Sequence, residues 1–180
     1  PAVFRAWLAR HHGSEKELWV GFYKVKSGRG GMVYKQALDE ALCYGWIDSK
    51  PNKLDAERSL LWFAPRKAGT GWSKPNKERV LKLLAAGLMA PAGLAKITAA
   101  QADGSWYALD AVEALEIPSD LDQALTANPT ARSYFDAFPR SVKRGILEWI
   151  ATAKRPETRA RRIAEIVRCA AAGRSPLEWP

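Results

Sequence analysis

The chain has 180 residues, 47% of them apolar and 26% charged, and a formal net charge of +9. That length suits one domain, which buries roughly 70% of its unfolded surface, and no run of about 18 uncharged apolar residues is present to span a bilayer. The two cysteines, Cys43 and Cys169, lie far apart without CxxC spacing, which excludes a disulfide framework or a zinc ribbon, leaves at most one bridge, and fits a reducing compartment.

The positive charge is concentrated. Between Arg140 and Arg174 ten lysines and arginines stand against Glu148, Glu157 and Glu165, so the remainder is nearly neutral. Such a segment attracts nucleic acid, anionic lipid or an acidic protein, or else forms a solvated helical face partly neutralised by its own glutamates. The chain starts at Pro1, so the lack of a leader within it is uninformative; a cytoplasmic location is expected, or a periplasmic one if a leader has been removed.

In chain order, Phe4, Trp7 and Leu8 recur at helical spacing, with a turn at His11-His12-Gly13 where Gly13 can take a left-handed cap. Neighbouring histidines rarely reach one metal ion and the chain has no others, so they read as surface or helix-end residues and no metal site is expected. Leu18 to Val25 is rich in β-branched and aromatic residues and predicts a strand. The loop that follows, Ser27 to Gly31, is either an anion grip or a flexible turn. Tyr34, Leu38, Ala41 and Leu42 share one helical stripe, with Asp39 and Glu40 on the wet side, and Gly45 stops that helix. Strands are predicted from Trp46 and over Leu60 to Ala64, linked by a hairpin from Pro51 to Arg58.

Beyond Pro65 a basic, glycine-containing loop leads to a helix that Ser73 can cap and Gly87 closes. Further helices are expected from Pro91 to Ala102, from Pro118 with a Ser119-Asp120 cap, from Pro129 to Phe138, from a Ser141 cap, and from Pro156. In the last of these, Glu157 with Arg161 and Arg161 with Glu165 are spaced to pair. The pattern predicts an α+β protein: a small antiparallel β-sheet with packed helices in the N-terminal half and a helical C-terminal half, organised as a single domain over 1–180 with an α/β part over 1–75.

Four runs carry a family resemblance: ALCYGWIDSK at Ala41 to Lys50, FAPRKAGTGWSKPN at Phe63 to Asn76, GLMAPAG at Gly87 to Gly93, and AKRPETRARRI at Ala153 to Ile163. In this order they resemble the YdeI/OmpD-associated, or bacteriocin-protection, family from Phe4 to about Gly173. Val33 stands where the family tends to have a threonine helix cap, and Thr70-Gly71 precedes Trp72 where a serine and a variable residue are usual. The resemblance implies a part in tolerance to bacteriocins or cationic peptides and an association with an outer-membrane porin; it brings no agreed catalytic residues and no cofactor.

The strongest local chemistry lies in Arg66, Lys67, Trp72, Ser73 and Lys74. Cations, glycines and a helix N-terminus can hold a phosphate or carboxylate, although the spacing is not a Walker loop. The alternative is that Trp72 plugs the core, Ser73 caps the helix and the cations stay solvated. Trp46 and Asp48 are the neighbouring candidates for the same ligand or partner segment. Asp48 and Asp55 are also weighed as an acid/base pair, Asp48 with Arg66 as an enzyme site, and Cys43 as a nucleophile lacking a nearby base. The expected function is a non-enzymatic stress-tolerance binding protein whose partner is an anionic small molecule or a protein. The alternative is nucleic-acid binding through Lys154, Arg155, Arg159 and Arg162 on the basic helices.

Overall fold

The computed structural model describes residues 1–177. The α+β reading holds: the N-terminal half contains a three-stranded antiparallel sheet with helices, and the C-terminal half is helical. Two compact units form, Pro1–Ala108 and the residues from Leu109 onward. No helix among the described residues is long and apolar enough to cross a membrane.

The first unit runs α1 (Ala2–His11), β1 (Leu18–Tyr23), a 3-10 turn (Val25–Ser27), α2 (Tyr34–Cys43), β2 (Trp46–Lys53), β3 (Arg58–Pro65), α3 (Lys74–Ala85) and α4 (Pro91–Ala102). A tight hairpin joins β2 to β3. Its turn is held by Asp55, whose Oδ1 accepts from the Glu57 and Arg58 N–H groups at 2.9 and 2.7 Å. The strand order is β1-β3-β2, with Leu18 opposite Phe63, Trp46 opposite Pro65, and a slip in register between Asp48 and Pro51.

Helix α2 organises this unit because it is apolar on two sides. Ala37 and Ala41 pack with Phe4, Leu8, Val20, Trp46 and Phe63 against the sheet. Leu38 and Leu42 pack with Trp72, Val80, Leu83 and Ile97. One wide apolar stripe thus serves both clusters, while Lys35 and Gln36 leave the other side of the helix wet. Tyr34, expected on the buried stripe, is instead 45% exposed. Asp39 and Glu40 anchor the neighbours rather than facing water: Arg79 reaches Asp39 and Arg5 reaches Glu40, both at 2.7 Å. Valine offers no capping oxygen at position 33, but half of the capping box survives, since Gln36 Oε1 accepts from the Val33 N–H at 3.1 Å.

Some local expectations fail. Helix α1 closes through His12 in right-handed geometry, and Gly13 does not adopt positive φ. Ser73 holds the N-cap position of α3 without a side-chain capping bond. Gly45 and Gly87 do take the left-handed conformation, at φ 74° and 66°, where a side chain is disfavoured.

The second unit runs α5 (Asp110–Ala114), α6 (Ser119–Thr126), α7 (Pro129–Ala137), α8 (Arg140–Ala151) and α9 (Pro156–Ala171) around a core that includes Leu121, Leu125, Phe135, Ile146, Ile150 and Ile166. The short α5 has no counterpart in the sequence reading. Helix α8 begins at Arg140 behind Pro139, so Ser141 lies inside it rather than capping it. Asn128 caps α7 by accepting from the Ala131 N–H at 3.1 Å.

Carboxylates here are held by arginines. Arg159 bonds to Asp120 at 2.5 and 2.9 Å and holds its carboxyl below the usual range. Glu165 pairs with Arg168 at 2.6 Å rather than with Arg161. The Arg168 bonds and the Cys169 thiol bring the Glu165 pKa down to about 2 from an ordinary 4.5. A carboxylate whose folded pKa lies below its unfolded one stabilises the fold above the unfolded value, and this contribution vanishes as pH falls through the folded value. Urea midpoints should therefore hold from neutrality to pH 4.5 and fall from there to about pH 2. Arg168→Gln should flatten that decline; a decline of unchanged steepness would show that the pair has no part in it.

Candidate functional site

Strand β3 delivers the chain into the basic loop at Arg66, whose backbone N–H donates to Gly45 O at 2.9 Å. The loop then folds on itself: Gly69 takes φ 70°, and Thr70 Oγ1 donates to Lys67 O at 2.7 Å. The Arg66 side chain turns inward. Its Nη2 donates to Gly71 O at 3.0 Å, and its guanidinium lies 3.8 Å from the centre of the Trp72 ring. That ring sits 5.0 Å from the ring of Trp106. Arg66 is only 6% exposed and Trp72 only 2%.

Burial alone pushes the Arg66 pKa down to about 10, and among the described residues no carboxylate forms an ion pair with it. The guanidinium instead borders a small pocket of about 60 Å³, shared with Lys67, Trp72, Lys96, Asp103 and Ser105. Asp103 is the acid in this lining. Its carboxylate accepts from the Ser105 N–H at 2.8 Å and the Gly69 N–H at 3.2 Å, bonds that keep it below the ordinary carboxylate range, those from Ser105 first.

The sequence candidates therefore separate. Arg66, Lys67 and Trp72 come together, joined by Lys96 and Asp103, which the sequence reading did not single out. The Asp103-Gly104-Ser105 turn was a local signal for Asp103 alone, and nothing in the sequence ties either residue to residue 66. Ser73 and exposed Lys74 begin α3 without lining the pocket. Trp46 is core: it is 1% exposed, lies edge-on to Trp7 at 5.7 Å, and donates from Nε1 to His12 O at 3.2 Å. Asp48 accepts from the Tyr34 hydroxyl at 3.1 Å. Asp55 is committed to its turn and to Arg58. The Cys43 thiol is buried, and desolvation raises its pKa.

Of the basic candidates expected on the C-terminal helices, Lys154 and Arg155 lie in the connection between α8 and α9 and are exposed. Arg159 is held by Asp120, and Arg162 bonds to Trp149 O and to Thr152 Oγ1 while lying 5.2 Å from the Trp149 ring.

Residues 1–96, just over half of the chain, match the family model described as Domain of unknown function (DUF8412). The chain belongs to the DUF8412 family. That match contains the first three of the four distinctive runs, the Arg66 loop included. Residues 114–173 of this DUF8412 chain match a second family model, Bacteriocin-protection, YdeI or OmpD-Associated, and so contain the AKRPETRARRI run. No curated protein and no solved structure matches the chain.

Proposed function

We propose that this DUF8412 chain is a binding protein that captures a phosphate or carboxylate group at Arg66, in a stress-tolerance role of the kind the words bacteriocin-protection describe. The observation that carries this reading is an arginine residue more than nine-tenths buried that, among the described residues, has no carboxylate paired to it. Burying an unpaired cation costs several kcal/mol. The Trp72 face and two loop carbonyls offset part of that; an anion supplies the rest, since Lys67 and Lys96 on the same lining outnumber the one carboxylate, Asp103, whose charge its bonds from Ser105 and Gly69 already stabilise.

The size of the pocket limits what enters. A volume of 60 Å³ is about two water molecules' share of liquid, so one carboxylate or phosphoryl end is held and the rest of the ligand stays outside. The net charge of +9 repels a cationic peptide at long range. Protection would therefore act through the anionic groups such peptides seek, including those around a porin, rather than by sequestering the peptide.

Inorganic phosphate, titrated at constant ionic strength against chloride, should raise the melting temperature of the wild-type protein, because a ligand of the native state stabilises it. Arg66→Met keeps an apolar stem on Trp72 while removing the charge, and should abolish the shift. Lys96→Met changes an exposed side chain and should weaken it even if the Arg66 variant folds poorly. Equal shifts with chloride, or an undiminished response in both variants, would overturn the assignment.

A further inference from the structure

The geometry points to a second, separate binding site in the first unit, for an amphipathic organic anion: an apolar body in a hollow of about 650 Å³, with its carboxylate at a rim of three cations. The volume lies within the roughly 300–1,000 Å³ typical of small-molecule sites. It shares no lining residue with the Arg66 pocket.

The hollow is built where the segment after β1 arches past the sheet. Phe22 of β1, Leu61 of β3 and Pro51 of β2 supply apolar surface from the strands, and Met32, Val33 and Tyr34 supply it from the approach to α2. Around it an unusual amount of apolar surface meets water: Val25 is 98% exposed and Val33 57%. Apolar side chains gathered around one concavity mark a surface that gains by being covered.

The charge on this lining has one sign. Lys24, Arg29 and Lys35 border the hollow and no carboxylate does. Lys24 Nζ donates to the carbonyls of Asp55 and Ala56 at 2.7 and 3.2 Å and, among the described residues, forms no ion pair with a carboxylate. Arg29 reaches Glu57 at 3.3 Å with both side chains at least half exposed, a pairing that water screens to little. Lys35 is exposed. Of the hydroxyl-bearing residues on the walls, Tyr23, Tyr34 and Ser59, Tyr34 already donates to Asp48 at 3.1 Å, so the walls are mainly apolar and the rim offers cations. A cationic peptide would meet three like charges, and a neutral lipid would leave the rim unused. A medium-chain carboxylate satisfies both parts.

The chain has two methionines, and they report separately. Met32 lines the hollow, whereas Met89 packs against the core of Leu38, Leu42 and Ile97. With ¹³C-methyl methionine, titrated decanoate should move the Met32 resonance saturably and leave Met89 in place. Decanol should bind roughly tenfold or more weaker, the mark of a charge-assisted contact. The double variant Arg29→Ala, Lys35→Ala alters exposed side chains and should weaken decanoate by a similar factor. A stationary Met32, equal affinity for decanol, or joint movement of both methyls of the kind a detergent causes would each overturn the assignment.

Discussion

Replacing Gly93 by alanine is expected to destabilise the first unit by about 3 kcal/mol, a fall in melting temperature of roughly 15 °C for a unit of this size. Helix α4 meets the end of α2 at this glycine. The Ala90 N–H donates to Cys43 O at 3.0 Å, and a Cβ on residue 93 would lie 2.3 Å from that same oxygen and 2.8 Å from its carbon. Both atoms are backbone, so no rotamer change relieves the clash and the two helices must part. Alanine ordinarily gains about 1 kcal/mol over glycine inside a helix, but a contact this short outweighs it. Gly13→Ala is the control: nothing lies within 4 Å of its added carbon, its φ is not positive, and its melting temperature should match wild type. A Gly93→Ala protein that melts with the control would rule out the close crossing.

Trp46→Ala should cost about 3–5 kcal/mol, the range for truncating a buried aromatic side chain. The indole is 1% exposed, between Trp7 and the sheet, and its N–H is taken by His12 O. Trp46→Phe keeps most of the volume and gives up that bond, so about 1–2 kcal/mol is expected. Trp19 provides the comparison. It is 42% exposed and stacks on Trp62 at 6.4 Å, and Trp19→Ala should cost only about 1 kcal/mol. Urea denaturation of the three variants gives the order directly. Should Trp46→Ala prove no costlier than Trp19→Ala, Trp46 would return to the candidate ligand contacts rather than the core.

These two residues show how far each kind of information reaches. GLMAPAG was visible as a distinctive run, but the reason for its second glycine is a carbonyl some 50 residues earlier in the chain. Trp46 and Trp72 looked alike among cations; one is core, while the other faces the core with one side and a guanidinium with the other. The basic helices looked like an unspent reserve of charge. Much of it is committed at a distance, Arg159 to Asp120 and Arg144 to Glu113. The paired spacings within α9 mattered less than Arg168, three residues from Glu165.

The sequence by itself determined the local elements: the 3.6-residue stripe of α2, the β-branched and aromatic run of β1, the stops at Gly45 and Gly87, and the proline-led starts of α4, α7 and α9. Each follows from backbone preference and side-chain period, which act over a few residues. Only the tertiary structure decided the β1-β3-β2 order, the burial of Arg66 with no ion pair among the described residues, its meeting with Lys96, and the cation-rimmed hollow. Those depend on which distant segments share a surface, and that choice is made by the joint burial of apolar faces, whose partners lie tens of residues apart along the chain.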